Sequence, residues 1–93
     1  MEPLELRIQK DLTNSGYNQV RSVIVEEGPD ATGDNSLFVW ILMDDALTDT
    51  DLSWEKIKHM VDEARNEARD ANPHLYPYVR VRRVREWEEL VGQ

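Results

Sequence analysis

Seven consecutive apolar residues, Leu37-Phe38-Val39-Trp40-Ile41-Leu42-Met43, constrain this chain more than any other feature. A run this short cannot cross a membrane as a helix, which needs roughly 20 such residues. As a strand it puts apolar side chains on both faces of a sheet, so both faces are shielded or one is exposed for a purpose. The cover for one face follows in the chain. Trp54, Ile57, Val61, Ala64, Ala68 and Ala71 recur at steps of three and four, the spacing of one helical face, and Met60 widens the stripe. Ser53 is placed to cap this helix, with Leu52 and Ile57 at the staple positions around the cap. Pro73 stops it and biases Asn72 toward extended backbone.

The other elements arrange themselves around this pair. Leu4, Ile8 and Leu12 recur every four residues between Pro3 and Ser15, and Gly16 suits a helix C-terminus, which predicts a short helix. Leu4, Leu6 and Ile8 also alternate as a strand would, so a strand there is the alternative. Gln19 to Glu27 is rich in β-branched residues and predicts a strand, paired in a hairpin with Ser36 to Asp44 through the turn-forming stretch Gly28 to Asn35. Asp44 to Asp51 reads as an acidic loop. A third strand is expected from about Tyr76 to Val84, with Val79 and Val81 on one face and Tyr78, Arg80 and Arg82 on the other. A helical crossover between the second and third strands implies that they run parallel. Trp87, Leu90 and Val91 have the spacing of a short C-terminal helical turn.

The expected fold is therefore a single α+β domain over residues 1–93, an α-β-β-α-β two-layer sandwich. It has a three-stranded mixed sheet, two helices on one face and the C-terminal turn beyond. The pattern Leu12-x3-Gly16-Tyr17-x2-Val20, the strand Leu37 to Met43, the helix from Leu52-Ser53 and the closing Val79-x-Val81 fall in an order that resembles small domains of this type. Examples are the cytoplasmic dimerisation domain of cation-diffusion transporters and the iron–sulfur assembly domain of the MIP18 type. The resemblance is topological and covers most of the chain. The Cys of the second family and the transmembrane segment of the first are missing, and the Arg-rich third strand and Trp87 tail match neither, so no functional residue carries over.

Composition narrows the classes of function. The chain is 40% apolar and 32% charged, as ordinary globular domains are. It has no Cys, which removes disulfides, zinc–thiolate sites and thiol nucleophiles and suits a reducing cytoplasm. Its start, Met-Glu-Pro-Leu-Glu, lacks the basic and apolar blocks of a signal peptide. The net charge of −8 repels phosphates and argues against nucleic acid. The charge is uneven: Arg80, Arg82, Arg83 and Arg85 fall within six positions of an otherwise acidic chain.

Chemistry-bearing constellations are sparse. Gly28 to Gly33 is a hairpin turn rather than a phosphate loop, and Ser15, Ser22, Ser36 and Ser53 lack a G-x-S-x-G context, so no catalytic residues are assigned. Asp44, Asp45, Asp49 and Asp51 suggest a divalent-cation loop, yet counting from Asp49 the EF-hand glycine position is Trp54 and the bidentate Glu position is Met60. His59, Asp62 and Glu63 share a helical face, with His74 the only second imidazole; exposed surface residues account for them, and no metal or other cofactor is assigned.

The informative feature is the second face of the sheet. With Leu37, Val39, Ile41 and Met43 toward the helices, Phe38, Trp40 and Leu42 face away beside Tyr78, Arg80 and Arg82. An apolar patch of that extent marks an interface, unless the Trp87 segment folds over it. The favoured reading is a cytoplasmic, non-enzymatic interaction or regulatory module that uses these six residues to dimerise or bind another protein. In an alternative reading, an immunity- or antitoxin-type inhibitor masks a basic site with Asp44, Asp45, Asp49 and Asp51; a cation-binding domain is a further one.

Overall fold

The computed structural model describes residues 3–46 and 53–92. Leu52, half of the expected staple, and Asp49 and Asp51 lie outside them. The described elements run α1 (Leu4–Asn14), β1 (Val20–Pro29), β2 (Asn35–Met43), α2 (Trp54–Ala71), β3 (Tyr76–Arg83) and α3 (Val84–Val91). The expected α+β order is present, and the C-terminal turn is a complete short helix.

Within the stretch Pro3 to Ser15 the helix Leu4–Asn14 forms because its buried residues, Ile8 and Leu12, lie one turn apart. Gly16 closes the helix with a φ of 96°, a left-handed conformation that glycine adopts without a Cβ clash. The Gly16 amide donates to the Thr13 carbonyl and the Tyr17 amide to Leu12, each at 3.0 Å. These two bonds satisfy carbonyls that the helix end would otherwise leave orphaned.

The sheet order is β1-β2-β3. β1 and β2 are antiparallel, from Val20 opposite Met43 to Pro29 opposite Asn35, with an irregularity between Val20 and Ser22. β2 and β3 are parallel, from Ser36 beside Tyr76 to Met43 beside Arg83, as a helical crossover demands. β2 is thus the central strand, and its continuous apolar run follows from that place.

One face of the sheet carries the core. Leu37, Val39, Ile41 and Met43 of β2 meet Val20 and Val23 of β1, Ile8 and Leu12 of α1, and Met60, Ala64 and Ala68 of α2. Each large side chain buried here contributes roughly 1.5–3 kcal/mol by leaving water. The small alanines let the C-terminal half of α2 approach the sheet closely. Ser53 caps the helix as expected, accepting from the Lys56 amide at 3.3 Å.

The stripe on α2 needs one correction. Its buried centre is Met60, Ala64 and Ala68, flanked by half-buried Ile57 and Val61. Trp54 is 74% exposed, and Ala71 is exposed too. Both have helical spacing, but they sit in the first and last turns, beyond the stretch that lies on the sheet.

Polar contacts fasten α1 to α2. Arg7 pairs with Glu67 at 2.9 Å and reaches Asp70 at 3.8 Å, while the Ser15 hydroxyl donates to Glu63 at 2.9 Å. A hydrogen bond with the neighbouring Asp11 carboxyl, aided by partial burial, raises the pKa of Glu67 against the opposing pull of Arg7. No helix among the described residues is long and apolar enough to cross a membrane.

Candidate interaction surface

The sheet face turned away from α1 and α2 is built by alternation. On β2 it takes Ser36, Phe38, Trp40 and Leu42, and their partners on β3 are Tyr76, Tyr78, Arg80 and Arg82. The register places Phe38 beside Tyr78, and their rings stack with centroids 5.5 Å apart and planes 16° apart. Tyr76 continues this row, its ring centroid 4.8 Å from that of Tyr78. β1 contributes Ile24 opposite Trp40 and Glu26 opposite Phe38.

This face is not wholly open. α3 turns back at Arg83 and packs on β2 and β3, with the Trp87 ring 5.0 Å from that of Trp40. Of the two expectations for this face, cover by the Trp87 segment is seen at Trp40, while Tyr76 at the other end is 54% exposed. Two carboxylates position the cover. Asp45 accepts from the Arg85 amide at 2.8 Å, placing a negative charge at the N-terminus of α3, and Glu86 accepts from the Arg83 amide at 3.1 Å.

The six residues expected on this surface divide accordingly. Phe38, Trp40 and Tyr78 are half-buried, and Arg80 is exposed, its side chain without a hydrogen bond or ion pair among the described residues. Arg82 is half-buried and donates to the Val81 carbonyl at 2.8 Å. Leu42 corrects the expected outward display: it lies on this side but is only 3% exposed, because the α3 end of the face is covered. The structure adds residues that alternation on β2 did not select. Tyr76 is 54% exposed, and Leu90 and Val91 on α3 are 53% and 59% exposed. With Val84 and Trp87 they complete one stripe along α3, a spacing legible in the sequence whose unsatisfied outer half is visible only in three dimensions.

The hairpin end of the face is held by Asp30. Its Oδ1 accepts from the Thr32 hydroxyl at 2.6 Å, the Thr32 amide at 2.8 Å and the Asp34 amide at 3.1 Å. Its Oδ2 accepts from the Ser36 hydroxyl at 3.2 Å and the Tyr78 hydroxyl at 3.0 Å. Bonds to the ionised form, the Thr32 hydroxyl foremost, lower the Asp30 pKa to about 2. The hydrogen bond to Asp30 raises the pKa of Tyr78, which must keep its proton to donate. A shallow groove of about 680 Å³ lies beside this lock, lined by Asp34, Asn35, His74, Tyr76 and Tyr78 among others.

The acidic residues behind the alternative readings are engaged with the fold where they are described. Asp44 accepts from the Ala46 amide at 3.0 Å and lies 3.8 Å from Arg21, and Asp45 holds α3. His59 and His74 are separated by most of α2, a rise of about 18 Å over residues 59–71. Among the described residues no three potential ligands gather around one point. No family model, curated protein or solved structure matches this chain.

Proposed function

We propose that this chain is a cytoplasmic, non-enzymatic protein-interaction module whose contact surface is the outer sheet face together with α3. The observation that carries this reading is the presence of two partly exposed apolar surfaces on this side of the sheet. One is the aromatic row Tyr76–Tyr78–Phe38, and the other is the Leu90–Val91 end of a helix anchored through Trp87. Aromatic residues and an unpaired arginine are the side chains that supply most binding energy at protein interfaces. Phe38, Tyr78 and Arg80 serve as contacts, Trp40, Leu42 and Arg82 support them from beneath, and Tyr76, Leu90 and Val91 extend the patch. The lack of Cys and the acidic composition fit a reducing, cytoplasmic setting.

The test is a photoreactive phenylalanine analogue in place of Tyr76, with Lys58 on the exposed side of α2 as the control position. Ultraviolet irradiation in the native host is expected to yield a discrete protein adduct from position 76 and none from 58. Equal yields at both positions, or no adduct at 76, would reject the surface.

A further inference from the structure

Resting on that reading, we infer that the occupant of the surface is a second copy of this chain, docked face to face about a two-fold axis. The Leu90–Val91 end of each α3 covers the Tyr76–Tyr78–Phe38 row of the other copy. A two-fold contact uses the same patch twice, so the patch must contain both halves of every interaction it makes. This one does. It holds a helix end with Leu90 and Val91 exposed and an aromatic row on the sheet that ends in exposed Tyr76.

The charges are complementary in the same sense. Two copies each carrying −8 repel unless their contact brings opposite charges together. Arg80 stands on the exposed face of β3 and Glu88 flanks the apolar stripe of α3, and neither side chain has an ion pair or hydrogen bond among the described residues. Reciprocal docking pairs Glu88 of each copy with Arg80 of the other, twice per dimer.

Edge pairing is the competing way to join two copies, and both edge strands resist it. On β3, Pro77 offers no amide hydrogen, and Arg80, Arg82 and Arg83 would meet like charges in a self-paired strand. On β1, the Arg21 carbonyl already accepts from the Gln9 side chain at 3.2 Å, the strand is irregular between Val20 and Ser22, and Glu26 and Glu27 are adjacent acids. Both edges thus disfavour self-pairing, and the outer face does not.

Sedimentation velocity on the full chain over a thousandfold concentration range tests the proposal. A mass that rises to twice the monomer's is expected. Leu90→Asp and Val91→Asp should each weaken it at least about tenfold while leaving the melting temperature of the dilute protein unchanged, since both residues are exposed in the single chain. Arg80→Glu and Glu88→Arg should each weaken it about tenfold, and the double reversal should recover most of the loss. A monomeric mass at every concentration overturns the proposal, as does a dimer indifferent to both Leu90→Asp and Arg80→Glu. Failure of the double reversal to recover rejects the Glu88–Arg80 pairing. A monomer that still forms an adduct from position 76 to another protein overturns the second copy and leaves the interaction surface standing; a monomer without any adduct overturns both.

Discussion

The Tyr78 hydroxyl donates to the Asp30 carboxylate at 3.0 Å across 48 positions of sequence. This bond ties the tip of the β1–β2 hairpin to β3, a strand with which β1 has no direct pairing. It also fixes the Tyr78 ring on which Phe38 stacks, so one acid in a turn sets the geometry of the hairpin end of the surface.

A pH dependence follows. The folded-state pKa of Asp30, about 2, lies below its ordinary value of 3.8, so its ionised form stabilises the fold above that ordinary value. This contribution is lost as pH falls from 3.8 through about 2. Melting temperatures between pH 2 and 7 should therefore drop more steeply on the acid side for the native chain than for Asp30→Asn, which should be the less stable of the two at pH 7. Parallel profiles would show that Asp30 contributes nothing. Tyr78 acts in the opposite direction: its pKa is raised, so its contribution is present below pH 10 and lost at higher alkalinity, and Tyr78→Phe should remove that alkaline loss.

The Trp40–Trp87 contact can be measured as a coupling. Each residue replaced by Ala should destabilise the chain by about 2 kcal/mol in urea unfolding, since both are half-buried. The double variant should lose about 1 kcal/mol less than the sum, because the ring pair is removed only once. Strict additivity would mean that α3 is held elsewhere.

Asp45→Ala should loosen α3 without unfolding the body. The Arg85 amide loses its acceptor, and hydrogen exchange at Arg85 should accelerate about fivefold, the effect of removing a helix cap. Exchange in β2 should stay as it was. Acceleration throughout the protein would instead make Asp45 a determinant of global stability.

The two ends of the α2 stripe give opposite expectations. Ala64 is fully buried against the sheet, so Ala64→Glu strands an unpaired charge and should cost about 4 kcal/mol or more, enough to unfold most of a domain this small. Trp54→Ala should change stability by less than about 0.5 kcal/mol, because the indole stands in solvent. Thermal melts of the two variants decide the matter, and comparable losses would reject the placement of the helix.

The element order was determined by the sequence alone, because the signals that set it are local. Apolar residues at helical spacing, β-branched runs, Gly16 after α1 and Pro73 after α2 act over a few residues of backbone, and the crossover helix between β2 and β3 obliges those strands to run parallel. The tertiary structure decided what is covered. Leu37 to Met43 reads as uniformly apolar, yet Leu42 is buried and Trp87 packs on Trp40 while Tyr76 at the other end of the face is exposed, and Trp54, on the expected stripe of α2, stands in water. Asp30 reads as an ordinary turn residue until Tyr78 arrives beside it. Exposure and hydrogen bonding of this kind depend on contacts between distant segments, which side-chain periodicity along one segment does not encode.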